Sequence, residues 1–365
     1  MTAHVYDARL RRAGETAAAA GLAGLAVTPG ADLVYLTGYA PPPLERLTLL
    51  VVGVGRDPVM LVPALESPAA ASCPVGDRIE IVGWADGEDP YERAAALLGS
   101  GPFAITDSAW ASHLLGLQRA AGGCSFVSVS ASVPHLRAIK DEAELNLLRR
   151  VAEAADRAFA EVLSARFGGR SEREVAEEVA AALRRQGHEE VDFTIVGSGP
   201  NGASPHHEPG SRRIERGDAV VLDFGGRMDG YCSDITRTVV VGAPEPQIEE
   251  VYEVVRTAQQ AAFEAIAPGV PAERVDAAAR AVIAAAGYGG QFVHRTGHGI
   301  GLEVHEPPYI VAGNPTPLRP GMTFSIEPGI YLPNRFGVRI EDIVAVTDDG
   351  AVRLNQATRD LQTVA

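Results

Sequence analysis

The sequence predicts an α/β domain followed by an α+β domain, and three observations lead to this prediction. The chain has 365 residues, whereas single hydrophobic cores stop growing at roughly 250–300 residues. From residue 20 to about residue 135, short apolar segments alternate with helical segments, which is typical of α/β domains. Helical segments follow, and from Val191 onwards β-branched runs alternate with loops rich in glycine and proline.

The N-terminal part contains five candidate strands and two candidate helices. The strands are short apolar runs bounded by turn residues. The charge-free run 16–31 contains three glycines and a proline, so we interpret it as a first helix leading into a first strand rather than as a signal peptide or a membrane span. The predicted strands are Gly24–Val27, Leu49–Val54, Val59–Val62, Ile79–Val82 and Phe126–Val129, and the predicted helices are Tyr91–Leu98 and Ser108–Ala120.

A domain boundary is predicted near Ser130–Pro134. We therefore assign residues 1–134 to the first domain and residues 135–365 to the second. Ser171 and Glu174 have the spacing of a capping box, which marks the start of a helix. The helices predicted in the second domain are Glu142–Leu163, the one that starts at Ser171, and two near Gln247–Ala265 and Ala272–Ala286.

The charge balance disfavours some classes of partner. The chain has 32 basic and 47 acidic residues and a formal net charge of −15, so we expect neither nucleic acid nor an anionic membrane as a partner. Its three cysteines are scattered and match neither a disulfide framework nor a cysteine-based zinc motif. Because such cysteine usage is typical of a reducing compartment, we expect a cytoplasmic protein.

Two motifs match known binding patterns but lack the context that those patterns require. Gly197–Gly202 reads G-x-G-x-x-G after an apolar run, yet Pro205 and polar residues follow where a dinucleotide site needs a helix. His294 and His298 have the spacing of a zinc-binding helix, but Arg295 stands where that motif requires glutamate, and nearby glycines disfavour a helix. We interpret the first motif as a structured loop, and we reject the second motif as a zinc-binding helix.

Two aspartates lie in a predicted antiparallel hairpin over residues 219–241, where two β-branched runs flank a glycine-rich turn. A turn centred on residues 228 and 229 places Asp223 and Asp234 directly opposite each other. A centre one residue away makes them diagonal neighbours on the same face. Two carboxylates that face each other between apolar strands require a cation or a shared proton. Two solvated aspartates near a turn are the alternative.

Three further segments place a histidine or acidic residues at strand ends or in glycine-rich turns. His298 lies among three glycines, where the backbone can approach a site closely. Glu327 ends an apolar strand, and Arg339 and Glu341 share one face of a strand predicted over 337–346. Oxygen-rich sites with one imidazole suit Mn²⁺, Fe²⁺ or Co²⁺ better than a structural zinc. Four carboxylates suit two divalent ions, which activate water when roughly 3.5–4 Å apart.

The chain resembles the pita-bread metallopeptidases, which include methionine aminopeptidase, aminopeptidase P and prolidase. The resemblance covers roughly residues 140–365, and the first 135 residues resemble more loosely the creatinase-like N-terminal domain of the proline-specific branch. It implies a creatinase-like α/β domain followed by a pita-bread catalytic domain with a curved, mainly antiparallel sheet. The five residues that carry it, in order and in local context, are Asp223, Asp234, His298, Glu327 and Glu341.

The resemblance also implies metal ligands and a substrate. Asp223 would bind the first ion, and His298 and Glu327 would bind the second. Asp234 and Glu341 would bridge the two ions. Mn²⁺ is the expected metal, with Co²⁺, Fe²⁺ or Zn²⁺ as alternatives. The expected substrate is a small peptide with a free N-terminus and proline at its second position, and the expected assembly is a homodimer.

Further residues match the proline-specific branch and imply catalytic roles. Glu327 would move a proton to the leaving nitrogen, and His305 together with His206 would stabilise the oxyanion by donating hydrogen bonds. His294 matches another active-site histidine of that branch, and Arg339 would orient the site. The implied catalytic residues are therefore His206, His294, His305, Glu327 and Arg339.

At one position the chain departs from the family pattern. Prolidases of this size often carry an arginine shortly after the His-Glu motif, and it binds the C-terminal carboxylate of a dipeptide. In this chain Tyr309 occupies that position. Arg335 or Arg46 is therefore a candidate for binding the carboxylate instead. The chain is therefore expected to be an Xaa-Pro dipeptidase, with aminopeptidase P acting on longer peptides as the alternative. The alternatives from other functional classes are a creatinase-like hydrolase and a non-catalytic binding module.

Overall fold

The computed structural model describes residues 3–365. They form two compact units, the first ending at Arg137 and the second spanning Ala138–Ala365. None of the described helices combines the length and the apolar character needed to cross a lipid bilayer. All the predicted site residues lie in the second unit.

A six-stranded sheet with helices forms the first unit. Its strands are β1 (Gly24–Val27), β2 (Leu49–Gly53), β3 (Val59–Pro63), β4 (Glu80–Trp84), β5 (Gly101–Ile105) and β6 (Cys124–Ser128). Its helices are α1 (Ala3–Ala19), α2 (Ala31–Thr37), α3 (Ser67–Ala71), α4 (Pro90–Leu98), α5 (Ala111–Ala120) and α6 (Val129–Ser132). The strand order is β4-β3-β2-β1-β5-β6, and only β2 runs antiparallel to its neighbours. The predicted α/β architecture is confirmed.

One internal strand of this sheet is missing from the sequence-based prediction. Strand β5 begins with Gly101 and Pro102, and a proline cannot donate to a strand ladder, so the segment does not have the pattern of an internal strand. In the structure β5 nevertheless pairs in parallel with β1 on one side and β6 on the other. Phe103 is fully buried in the core of this unit, which compensates for the weak start of the strand.

The second unit consists of helices followed by strands, as predicted. Its helices are α7 (Glu142–Val162), α8 (Glu172–Arg185), α9 (Pro246–Glu264) and α10 (Ala272–Ala285). Its strands are β7 (Glu190–Ser198), β8 (Ala219–Met228), β9 (Tyr231–Cys232), β10 (Ile235–Val241), β11 (Gly297–Gly299), β12 (Glu306–Ile310), β13 (Thr323–Ile326), β14 (Gly329–Leu332), β15 (Phe336–Arg339), β16 (Asp342–Val346), β17 (Ala351–Arg353) and β18 (Gln362–Val364). The predicted capping box at the start of α8 is present, with Ser171 and Glu174 bonding to each other's backbone N–H.

Two larger sheets of this unit are mainly antiparallel, as predicted. One has the order β18-β10-β8-β7, and the other has the order β12-β11-β13-β16-β17. Only β10 and β18 pair in parallel. The first sheet shares an apolar core with α7 and α8, and the second sheet shares one with α9 and α10. Each sheet is therefore covered on one face by its own pair of helices.

Alternation along the strands decides which side chains face these helices. Leu222 and Phe224 of β8 belong to the core shared with α7 and α8. Phe324 and Ile326 of β13 belong to the core shared with α9 and α10. Because successive side chains of a strand point to opposite faces, Asp223 points away from the helices. The faces opposite the helices carry the polar residues of the site.

The strand predicted over 337–346 is wrong as a single element. Strand β15 ends at Arg339 in a hairpin with β14, and β16 begins at Asp342 in the sheet that contains β13. Glu341, between the two strands, forms an isolated bridge with Thr236. The interruption arises because the chain leaves one sheet and enters another. Such long-range pairing overrides the local β-propensity of the segment.

Candidate metal centre

The two aspartates of the predicted hairpin are diagonal neighbours. The turn residues Asp229 and Gly230 both have positive φ values, 52° and 80°, as the tight turn of a hairpin requires. With this turn, Asp223 pairs with Thr236. Asp234 lies two residues before Thr236, in the short gap between β9 and β10. The diagonal arrangement is therefore confirmed, and the directly opposed arrangement is wrong.

His298 lies at the centre of β11, and close backbone contacts require a glycine on each side of it. A Cβ atom on Gly297 would lie 1.8 Å from the carbonyl oxygen of Ser325, and one on Gly299 would lie 2.4 Å from the carbonyl oxygen of Glu306. Only glycine permits so close an approach. The segment is a strand, so rejection of a zinc-binding helix is also confirmed.

All the predicted site residues line one cavity of about 640 Å³ in the second unit. Asp234, His298 and Glu341 each offer one ligand atom, and these three atoms lie within 4.8 Å of one another. His298 Nε2 is 3.6 Å from Asp234 Oδ2 and 3.3 Å from Glu327 Oε1. The cavity is lined by the predicted residues His206, Asp223, Asp234, His294, His298, His305, Glu327, Arg339 and Glu341.

Three carboxylate oxygens in this cavity require a positive partner. Asp223 Oδ1, Asp234 Oδ1 and Glu341 Oε1 are buried and accept no hydrogen bond from the residues that the structure describes. Burial, followed by the nearby carboxylates, raises the pKa of Asp234 and of Glu341 well above the usual range. Divalent cations fit this donor set, because they satisfy the oxygens and neutralise the clustered charge. Such cations would replace protons on these carboxyl groups.

Glu327 is held differently from the other carboxylates. Burial alone would raise its pKa, but the hydrogen bond with His298 and the electrostatic influence of His298, His294 and the Arg339 guanidinium outweigh burial and lower the pKa to about 2. The Ser325 hydroxyl donates a hydrogen bond of 3.1 Å to Glu327 Oε1. The Glu327 carboxylate is therefore ionised at neutral pH and can accept a proton.

Arg339 links three groups of the site from a position that is only 2% exposed. Its guanidinium donates to Asp223 Oδ2 at 2.5 Å, to the Tyr331 hydroxyl at 2.8 Å and to the Thr236 hydroxyl at 3.2 Å. The Thr236 hydroxyl in turn donates to Glu341 Oε2 at 2.7 Å. These contacts fix the orientation of two carboxylates that have their other oxygens unpartnered, which is the arrangement that a metal site requires of its supporting residues.

His305 lies beside the metal-ligand candidates. Its ring centroid is 4.0 Å from that of His298. Burial, followed by the electrostatic influence of His298 and Arg295, lowers the pKa of His305 to about 4. The imidazole is therefore neutral at neutral pH and has one N–H group with which to donate a hydrogen bond.

His294 and His206 line the cavity through different contacts. His294 Nε2 is 2.7 Å from the Tyr331 hydroxyl, and burial lowers the pKa of His294. His206 follows Pro205, whose carbonyl oxygen accepts hydrogen bonds of 3.4 Å from the Arg339 guanidinium. Arg339 therefore also contacts the loop that carries His206.

Hydroxyl groups that support the ligands are not among the predicted site residues. Thr236 lies two residues after Asp234, and Ser325 lies two residues before Glu327. In both cases the hydroxyl residue lies two positions from a predicted ligand, and this spacing is the signal by which both could be found. The Tyr331 hydroxyl bonds to both His294 and Arg339.

The G-x-G-x-x-G segment is a structured loop, as predicted. It ends β7 and continues as a 3₁₀ turn over Gly199–Ala203. The buried Glu172 carboxylate accepts hydrogen bonds from Ser198 and Asn201 of this loop. His207 Nε2 lies 2.8 Å from the same carboxylate. These contacts give the segment a structural role.

Residues 146–348 match the family described as "Metallopeptidase family M24". The chain belongs to this family. Residues 9–139 match the "Creatinase/Prolidase N-terminal domain". The predicted family, the predicted fold class and the predicted metallopeptidase class are confirmed by these matches.

Individual M24 peptidases are similar along nearly the whole chain. A probable dipeptidase PepE of Mycobacterium bovis is 49% identical over 368 residues, which cover 99% of this chain and 97% of that protein. An Xaa-Pro dipeptidase of Lactobacillus delbrueckii subsp. lactis is 39% identical over 342 residues, covering 90% and 92%. The crystal structure of dipeptidase PepE from Mycobacterium ulcerans has a TM-score of 0.96 at 46% identity, covering 100% of this chain and 99% of that one.

Proposed function

We propose that this M24 member hydrolyses Xaa-Pro dipeptides with the aid of two divalent metal ions. The observation that carries the proposal is the convergence of four carboxylates and one imidazole on one cavity, with three buried carboxylate oxygens left without a hydrogen bond among the described residues. The similarity to a protein named Xaa-Pro dipeptidase supports the choice of substrate. The creatinase-like domain would span residues 1–134 and the catalytic domain residues 135–365.

The proposed metal ligands are five of the residues that line the cavity, four acidic residues and one histidine. Asp223 would hold one ion, His298 and Glu327 the other, and Asp234 and Glu341 would bridge them. One imidazole among four carboxylates favours Mn²⁺, with Co²⁺, Fe²⁺ or Zn²⁺ as alternatives. When bound, such ions supply Lewis acidity and an activated water for peptide hydrolysis.

The remaining residues would handle protons and charge. The nitrogen that leaves an Xaa-Pro bond carries no hydrogen before cleavage, so it must receive a proton to depart as a secondary amine. The ionised Glu327 carboxylate can take a proton at one oxygen and pass it to that nitrogen. The neutral His305, together with His206, can donate hydrogen bonds to the carbonyl oxygen as negative charge develops on it. Arg339 would orient Asp223, and His294 would position the Tyr331 hydroxyl, which also accepts a hydrogen bond from Arg339.

Three peptides test the proposed substrate. We expect hydrolysis of Ala-Pro, no hydrolysis of Ala-Ala, and at least about tenfold lower kcat/KM for Ala-Pro-Ala, because the extra residue moves the C-terminal carboxylate further from the scissile bond and from any group that binds it in a dipeptide. Activity should vanish with a chelator and return with Mn²⁺. Faster cleavage of Ala-Pro-Ala than of Ala-Pro would identify an aminopeptidase P instead. Failure to cleave either proline peptide in the presence of metal would contradict the proposal.

Assembly and location are predictions that accompany the proposed function. We predict a homodimer and a cytoplasmic enzyme. The expected partners are small peptides rather than nucleic acid or a membrane surface, in keeping with the net charge of −15.

A further inference from the structure

The loop over residues 204–210, the His206 loop, presents His206 to the cavity of the metal centre. The His206 side chain is exposed, and among the residues that the structure describes none forms a hydrogen bond with it. The direction of the imidazole therefore depends on how the backbone of this loop is held. Two groups hold it, one on each side of His206.

Arg339 holds the loop before His206. Its guanidinium donates two hydrogen bonds of 3.4 Å to the carbonyl oxygen of Pro205. Both are longer than roughly 3.2 Å, the upper end of the usual range for N–H···O hydrogen bonds. The same guanidinium also donates to Asp223. Arg339 alone therefore holds the His206 loop weakly.

A buried carboxylate holds the loop after His206. Glu172, the first residue of α8, is fully buried. Its Oε2 lies 2.8 Å from His207 Nε2 and accepts a hydrogen bond of 3.2 Å from the Gly210 N–H group. Its Oε1 accepts hydrogen bonds from the backbone and the hydroxyl of Ser198 and from the Asn201 amide. One side chain thus connects the His206 loop to the end of β7.

The bond between Glu172 and His207 is the stronger of the two attachments. Burial alone would raise the pKa of Glu172, but hydrogen bonds from Ser198, His207 and Asn201 outweigh burial and lower the pKa. An ionised carboxylate only accepts hydrogen bonds, so His207 must carry a proton on Nε2 and donate it. A hydrogen bond to an ionised acceptor is stronger than one between neutral groups.

The role proposed for His206 requires accurate placement. A group that stabilises an oxyanion must donate from a distance of roughly 2.7–3.1 Å, and a misplacement of roughly 1 Å can lower a rate on the order of 100-fold. No hydrogen bond of its own directs the His206 imidazole within the described chain. An error in the position of the loop is therefore passed on to the imidazole in full.

We propose that Glu172 and His207 are positioning residues that hold His206 where it can donate a hydrogen bond to the oxyanion. This inference rests on the proposed function, in which His206 has that role. Neither Glu172 nor His207 is among the residues that line the cavity. Each acts through the His206 loop rather than by contact with the substrate.

A double-mutant cycle between His206 and His207 tests the proposal with Ala-Pro and Mn²⁺-loaded enzymes. We expect H206A to lower kcat by about 100-fold. H207A should lower kcat by about 10- to 100-fold and change KM by less than about threefold, because the affected contact forms only in the transition state. In the H206A background H207A should have no further effect, because His207 acts through His206. H207Q should recover most of the loss, because its amide can still donate to Glu172.

Glu172 is tested against a matched glutamate in the same helical turn. E172Q should lower kcat as H207A does, because a carboxamide has one accepting oxygen instead of two. E174Q should keep the wild-type kcat, because the Glu174 carboxylate bonds to Ser171 and not to the His206 loop. His207 is 20% exposed, so H207A should remain folded even where E172Q does not. Urea unfolding and elemental analysis check fold and metal content.

Binding of a transition-state analogue gives a readout that does not depend on turnover. The analogue is a phosphinic form of Ala-Pro, in which a tetrahedral phosphinate replaces the scissile carbonyl group. In calorimetric titrations H206A and H207A should weaken its binding by similar factors of about tenfold or more. Both variants should bind L-proline within about twofold of the wild type.

The outcomes separate this inference from the proposed function. A wild-type kcat in H207A, or losses in H206A and H207A that multiply in the double variant, would overturn the positioning role and leave the proposed function intact. A wild-type kcat in H206A would show that His206 does not stabilise the oxyanion, and the inference would fail with it. A wild-type enzyme that does not cleave Ala-Pro would overturn the proposed function itself.

Discussion

Replacing Asp234 by Asn is expected to remove bound metal and turnover together. Asp234 is 3% exposed, and its carboxylate faces His298 and Glu341 in the cavity. A carboxamide carries no charge and cannot bridge two cations, so we expect metal affinity and kcat/KM for Ala-Pro to fall by more than about 100-fold, beyond the loss typical of a supporting residue. Elemental analysis after dialysis and the rate of Ala-Pro hydrolysis measure both effects.

Unfolding of the chelated D234N protein separates loss of metal from loss of fold. Burial and the nearby carboxylates raise the pKa of Asp234, so a neutral side chain at this position should leave the stability of the chelated protein equal or higher in urea. D192N is the matched control, because Asp192 lines the same cavity but is paired with Arg227 at 3.0 Å. It should retain its metal. A D234N enzyme with wild-type metal content and activity would refute the assignment of Asp234.

Replacing Arg339 by Met is expected to destabilise the catalytic unit by about 3–5 kcal/mol, the usual effect of removing one partner of a buried ion pair. The Asp223 carboxylate would lose its only cationic side-chain partner among the described ion pairs, and the Tyr331 hydroxyl would lose a donor. We expect the loss to be smaller in the Mn²⁺-loaded protein than in the chelated one, because bound cations neutralise Asp223. Urea unfolding with metal and with chelator measures the difference.

Two further variants make the Arg339 result specific. R339K keeps the charge but cannot donate to Asp223, Tyr331 and Thr236 at once, so it should recover only part of the stability. R227M removes a cavity arginine whose pair with Asp192 is partly exposed, and it should cost about 1 kcal/mol or less. Equal stability of R339M and the wild type in chelator would show that Asp223 does not depend on this guanidinium.

The residues that converge on the candidate metal centre could be predicted from sequence because each lies in a segment with a strong local pattern. Asp223 interrupts an apolar strand whose neighbours Leu222 and Phe224 are buried on the other face. The glycines around His298 indicate close backbone contact, and contacts of that kind are present. Local alternation and glycine placement depend on short-range sterics, which a sequence displays directly.

Features that depend on long-range contacts could not be predicted from such local patterns. Arg339 and Glu341 lie at the junction of two sheets rather than on one strand, because Glu341 bridges to Thr236, far away in the chain. Tyr331 has the pattern of a packing residue, and only the fold brings its hydroxyl to His294 and Arg339. The position of Arg295 above the Tyr309 ring likewise depends on the pairing of β11 with β12. Pairing between distant segments is set by tertiary packing rather than by local propensity.

Anomalous X-ray diffraction from crystals grown with Mn²⁺ tests the two-ion centre most directly, because the signal locates the ions themselves. We expect two peaks in the cavity, separated by roughly 3.5–4 Å. Their expected ligands are Asp223, Asp234, His298, Glu327 and Glu341. A single peak, or two peaks with other ligands, in a crystal of the active enzyme would contradict the two-ion centre on which the proposed chemistry depends.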